Sequence, residues 1–299
     1  MPVLIQKQAP DVLLIDTDHM CHRAFHVHQE LCTSTGLSSG VVYGVLAMIH
    51  TQLTKIAPKS IVLTWGAEGS GKKRKEMSTE YKSNRPRQPN FKSQFKDIQY
   101  FFSRMGWEQY YNDQGWEADD VIATLVNFYK KHYQNIIVLS GDHDFHQLVC
   151  DQVTCVVPGT KKKPDGIYTP QTVLEKYGVP PDQLPDIYAI AGEEGDGIVG
   201  VPSIGLKTAA KIVANNGSVE TILGNLDKAY LPERQRMLFN EFKDQILLNK
   251  KLVDLRCSAV ELCSVEIAKN MNEAQAMLDT YEIKKFKAVE FNRGVFYDK

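Results

Sequence analysis

Residues 60–86 read "SIVLTWGAEGSGKKRKEMSTEYKSNRP", and whether this stretch is a nucleotide loop decides the fold. An apolar run, Ser60 to Trp65, leads into Gly66, four residues, Gly71 and Lys72, close to the strand, GxxxxGK[ST] and helix of a P-loop. Where a P-loop needs a Ser or Thr hydroxyl for magnesium, the chain has Lys73, so the phosphate-cradle reading fails. What remains is a buried strand followed by a strongly basic segment. Residues 72–87 carry seven Lys or Arg against two Glu; a solvated surface is the plain reading of such a run.

Working outward, "DVLLID" (11–16), "NIIVLSGD" (135–142) and "VTCVVPG" (153–159) repeat the apolar run with a polar stop. Between them, "SGVVYGVLAMIHTQLTKI" and "EADDVIATLVNFYKKHY" space apolar residues three and four apart, so each has one face to lay on a sheet. This alternation predicts an α/β fold with a mostly parallel sheet flanked by helices over residues 1–165. After Gly166 the strand signals thin, and short helices joined by Gly and Pro predict a smaller helical region over 166–299. From about Leu255 the sequence indicates only two helices, one ending near Tyr281.

The 299 residues are 43% hydrophobic, enough for a sizeable core. No apolar run approaches a membrane span and the start has no secretory pattern, so a cytoplasmic protein without a membrane partner is expected. Six cysteines without a CxxC pair exclude a disulfide framework and a zinc ribbon.

Chemistry concentrates in four acidic patches: Asp16, then Glu117, Asp119 and Asp120, then Asp142 and Asp144, then Glu193 and Asp196. They fall at strand ends, at a helix start and in a Gly-rich loop, places that a parallel sheet brings to one edge. Taken singly, "EADD" suits a helix N-terminus and "GDHD" a turn. Taken together, eight converging carboxylates repel unless cations neutralise them, which points to two or more Mg2+ or Mn2+ ions. Two rivals use the same region. His19, His22, His26, His143 and His146 suggest zinc, and "DTD" at 16–18 has the Asp-x-Asp form of an aspartyl-phosphate phosphatase with Asp18 as general acid.

Net charge is −1, but setting those eight acids aside leaves 28 against 35 Lys and Arg, a surface basic enough for a polyanion. "GVPSIGLKTAAKIV" (200–213) has the form of a helix-hairpin-helix, in which Gly205 permits close approach and Lys207 and Thr208 face a phosphate.

With these blocks the chain resembles the structure-specific 5′ nucleases, the flap endonuclease and 5′-3′ exonuclease family found at the N-terminus of bacterial DNA polymerase I and as free-standing phage enzymes. The resemblance runs from about Asp11 to Leu223 through "DTDHMCHRAFH", "YGVLAMI", "EYKSNRP", "GWEADDVIATL", "LSGDHDFHQLV", "YTPQTVLEKYGVPPDQLPD" and "GVPSIGLKTAAKI". It implies a PIN-like core, a helical arch over about 67–90, and the eight carboxylates as metal ligands, with Asp16, Asp119 and Asp142 among the catalytic residues. It further implies Lys82 and Arg85 as the basic pair at the scissile phosphate, Tyr81 stacking on a base, Arg23 on a phosphate, and Lys72, Lys73, Arg74 and Lys75 as an electrostatic funnel. A potassium ion near Val201 to Ile204 is implied as well. The reaction implied is phosphodiester hydrolysis to a 5′ phosphate and 3′ hydroxyl, in replication and repair. The partners are DNA with a 5′ single-stranded end, flap, nick or gap, and RNA–DNA hybrids, acted on by a monomer; a phage-type enzyme would work in the infected bacterium's cytoplasm.

The pattern breaks in places. The family's Asp just after the second strand falls on Gly66 or Ala67, with Glu68 nearby, Glu193 stands for an Asp, and Gly197 and Val199 stand for Asn and Pro. A missing ligand leads to the expectation of slowed cleavage, relieved by restoring Asp at 66 or 67, with an impaired junction-binding protein as the alternative.

Overall fold

The computed structural model describes residues 9–83, 92–160, 162–256 and 258–292. All five residues of β1 (Val12–Asp16) are buried, because both faces of the strand are covered. Val12 and Leu14 point into one core, Leu13 and Ile15 into the other. The period-two alternation of a strand thus explains a continuous apolar run: each face has its own helix layer.

The helices α1 (Thr17–His28) and α2 (Gly40–Ile56) follow, and then β2 (Ser60–Gly66), α3 (Lys72–Met77), α4 (Lys92–Met105) and β3 (Glu108–Asn112). Residues of α1, α2 and α4 fill the core on the Leu13 side, whereas α5 (Ala118–Tyr129) packs on the Val12 side. The chain then returns to β4 (Ile136–Leu139) on the far side of β1 and adds β5 (Val153–Val157) outside it. These five strands are parallel in the order β5-β4-β1-β2-β3. The direction of winding reverses between β1 and β4, so the crevice of an open α/β sheet opens at their C-terminal ends.

The rest of the described chain is β6 (Gly166–Tyr168), α6 (Pro170–Tyr177), α7 (Leu184–Ala191), β7 (Gly192–Glu193), β8 (Ile198–Val199), α8 (Leu206–Asn216), α9 (Val219–Gly224), α10 (Glu233–Glu241), α11 (Lys243–Val253), β9 (Cys263–Ser264) and α12 (Met271–Thr280). From the region after residue 165, β6 pairs antiparallel with β5 and β9 pairs antiparallel with β3, so both edge strands of the sheet come from it. The tail holds the expected helix ending near Tyr281, α12, and completes the Leu13-side core with Leu278, Phe286 and Phe291. β3, with the half-polar sequence Glu-Gln-Tyr-Tyr-Asn, is no apolar run, and β6 to β9 are two or three residues long, too short to carry a periodicity, so the sequence announces none of them. No helix among the described residues is long and apolar enough to cross a membrane.

Candidate active site

Asp16 ends β1 and is 2% exposed. Its Oδ1 accepts the His19 amide at 3.0 Å, capping α1, and its Oδ2 accepts the Ser140 hydroxyl at 2.6 Å. Ser140 Oγ in turn accepts the Asp142 amide, and Asp142 Oδ1 accepts the Asp144 amide at 2.9 Å, opening a 3-10 turn over His143–Leu148. Capping is what makes Asp favourable at these chain reversals, and it also fixes the carboxylates. Glu117 and Asp119 arrive at the start of α5, and Glu193 and Asp196 arrive with the β7–β8 hairpin. With Asp18, His19, His22, His26 and Lys82 they line one cleft of about 870 Å³.

Crowding of acids shows in their proton affinity. Burial, then the charges of Asp142, Glu117 and Asp16, pushes Asp119 well above the usual carboxylate range against the pull of Lys82. Burial also raises Asp16, opposed by His19 and Ser140. Asp144 is pushed up to about 7 by burial and Asp142. Asp18 is likewise pushed up to about 7 by burial and Asp16. His143 rises to about 9, mainly through its contact with Glu193 at 3.2 Å.

Hard divalent cations fit this donor set. Glu193 Oε2 and Asp18 Oδ1 are buried oxygens with no hydrogen-bond partner. Ligand atoms of Asp142, His143 and Asp144 lie within 4.8 Å of one another. Carboxylate oxygens suit magnesium or manganese better than zinc. Among the described residues the stripe His19, His22 and His26 lines the cleft without forming such a set.

Four residues stand elsewhere than the sequence reading expects. Arg74 is 3% exposed: its guanidinium bonds Asp120 at 2.5 and 2.9 Å, Glu117 at 2.9 Å and the Leu252 carbonyl at 2.9 Å. It is therefore no part of a basic surface for DNA. Asp120 is correspondingly not a cleft carboxylate, since Arg74, Ser258 Oγ and the Glu117 amide take its oxygens. Tyr81 is buried, donating its hydroxyl to Glu117 at 2.7 Å, with Lys82 Nζ 4.9 Å from its ring centre, so its face is not open to a base. Arg23 donates to the carbonyls of Pro158 and Gly159, holding that turn.

Burial pushes Glu117 up, but Lys82 and then Arg74 outweigh it and hold its carboxyl below the usual range. Lys82 lies 2.8 Å from Glu117 and 3.4 Å from Asp196 on the cleft wall. Lys72 and Lys75 are exposed on α3, whereas Lys73 faces Glu76 at 3.7 Å. Arg85 lies outside the described residues. Gly205 caps α8 with open space where a Cβ would stand, and Lys207 is exposed beside it with Thr208 half-buried. His143 joins the cleft, and Ser140, buried behind it, holds Asp16 and Asp142 in place; the sequence reading assigns neither a role in a carboxylate site. "LSGDHD" at the end of β4 was the available signal.

Residues 11–178 match the family model described as 5'-3' exonuclease, N-terminal resolvase-like domain, and residues 179–276 match that of the 5'-3' exonuclease C-terminal SAM fold. The chain belongs to the 5'-3' exonuclease family. This exonuclease-family chain is 30% identical over 276 residues to the 5'-3' exonuclease of Aquifex aeolicus, covering 91% of itself and 92% of that protein. It is 33% identical over 252 residues to DNA polymerase I of Caldicellulosiruptor bescii, covering 82% of itself but only 29% of the polymerase. Among solved structures, T5 5'-exonuclease with bound zinc has the same fold at TM-score 0.67 and 22% identity, covering 95% of this chain and 99% of that one. The catalytic core of Rad2 with DNA substrate superposes at TM-score 0.60 and 12% identity, with coverage of 99% and 94%.

Proposed function

We propose that the chain is a divalent-cation-dependent, structure-specific 5′-3′ exonuclease and flap endonuclease that hydrolyses DNA near the junction of a 5′ single strand with duplex. The carrying observation is the convergence of Asp16, Asp119, Asp142, Asp144, Glu193 and Asp196 on one cleft with Lys82 on its wall. Those six carboxylates would hold the ions, Mg2+ or Mn2+. Bound cations supply charge neutralisation and the Lewis acidity that activates water for phosphoryl displacement. Lys82 offers a fixed ammonium to the charge that develops on the phosphate. Lys72 and Lys75 on α3 lead the 5′ strand inward, and Gly205, Lys207 and Thr208 at the start of α8 hold the duplex backbone without reading sequence. Backbone carbonyls around Val201 to Ile204 would take a potassium ion. Nicks, gaps and RNA–DNA hybrids are further substrates, and the working unit is a monomer.

A labelled 5′ flap substrate incubated with Mg2+ or Mn2+ should yield short 5′-phosphorylated products that vanish with EDTA. Tight flap binding without product at any metal concentration would instead favour an impaired junction-binding protein, a reading supported by the lack of a carboxylate at Gly66 and Ala67.

A further inference from the structure

The end of β2 carries no acid of its own, yet it is not without a carboxylate. Asp18, in the first turn of α1, lays its Oδ2 against the Gly66 amide at 2.9 Å. A Cβ at position 66 would collide with that same Oδ2, so the glycine makes the room that the Asp18 side chain fills. The other oxygen, Oδ1, is buried and has no hydrogen-bond partner. Asp18 also lines the cleft with Asp16, Asp119 and Asp142. A buried, unpartnered carboxylate oxygen is costly unless something positive meets it. A backbone amide on one oxygen leaves the second free to act as a ligand.

We propose that Asp18 is a metal ligand of this cleft, supplied across from α1 to the end of β2, and that Gly66 is its enabling partner. The inference rests on the cation-dependent reading above. It replaces the expectation that an Asp restored at 66 would help: that side chain would have to displace the Asp18 carboxylate from the same space. Carboxylate and glycine form a matched pair, the acid at position 18 filling the space left at position 66.

The test measures Mn2+ binding directly, by calorimetric titration and by the electron paramagnetic resonance signal of free Mn2+, beside thermal stability and flap cleavage. Asp18→Asn keeps an acceptor for the Gly66 amide but loses the charge. It should keep its melting temperature and lose one Mn2+ site or weaken it by about tenfold or more, since even partners behind the ligands are worth 10–100-fold. Glu68→Gln should bind as the unchanged protein does. Gly66→Asp alone should lose stability and metal, and Asp18→Ala with Gly66→Asp should recover both. If Asp18→Asn binds as many ions as tightly as the unchanged protein, while that protein binds Mn2+ and cuts flaps, this inference fails and the nuclease reading stands. If the unchanged protein binds no Mn2+ and cuts nothing, both fall.

Discussion

Arg74→Met separates a buried tie from a DNA-facing charge. The guanidinium joins Asp120, Glu117 and the Leu252 carbonyl, so it links α3 to α5 and to the end of α11. Methionine keeps much of the volume but leaves Asp120, 1% exposed, without a counter-charge. Breaking one side of a buried pair costs about 3–5 kcal/mol. At about 2 °C per kcal/mol, suited to a chain of this length, the melting temperature should fall by about 6–10 °C. Glu117 keeps Lys82 and Tyr81, so the larger part of the loss belongs to Asp120. Adding Asp120→Asn removes the stranded charge and should recover about half of the loss. Differential scanning calorimetry of the four proteins, in EDTA, closes the cycle. A melting temperature within about 2 °C of the unchanged protein, together with weakened flap binding, would refute the buried-tie reasoning and return Arg74 to the DNA surface.

Other outcomes follow from the same geometry. Lys82→Ala should slow flap cleavage on the order of a hundredfold at saturating substrate with Mn2+ binding retained, as single-turnover assays would show. Lys207→Ala should weaken duplex binding for all sequences alike and flatten the slope of log affinity against log salt by about 0.9, read by fluorescence anisotropy. His146 is buried with its Nδ1 2.7 Å from the Tyr177 hydroxyl, and burial, followed by Lys176, lowers its pKa to about 3. Because the unfolded chain takes up this proton below about 6.5 and the folded one does not, stability falls as pH drops from about 6.5 towards 3, by about 1.4 kcal/mol per unit. Relative to His146→Gln, the unchanged protein should therefore lose denaturation midpoint between pH 7 and 5 in EDTA, and parallel profiles would contradict it.

Much of the frame is local in origin. The apolar runs at 12–16, 61–65 and 136–139 are strands buried on both faces, and 153–157 is buried except at Thr154 and Val157; such strands announce themselves by composition alone. Asp16, Asp142 and Glu117 sit at turns and helix starts that favour acids, so their place at one sheet edge follows from the alternation of elements. The Gly-Pro turn before α8 is equally local.

Pairing between distant residues is not. Arg74 and Lys75 are neighbours in one basic run, yet one is buried against Asp120 and the other exposed, because a single helical turn rotates one side chain inward and leaves the next outside. Asp119 and Asp120 adjoin in the same first turn of α5; one lines the cleft and the other is held by Arg74. In the tail the helix ending at Tyr281 is legible in the sequence, whereas β9 is two residues long and gains its meaning only from the edge of β3. The same holds for Asp18 and Gly66, 48 residues apart, whose fit depends on the space between α1 and β2. Periodicity and caps are written residue by residue; who meets whom across the sheet is decided by packing.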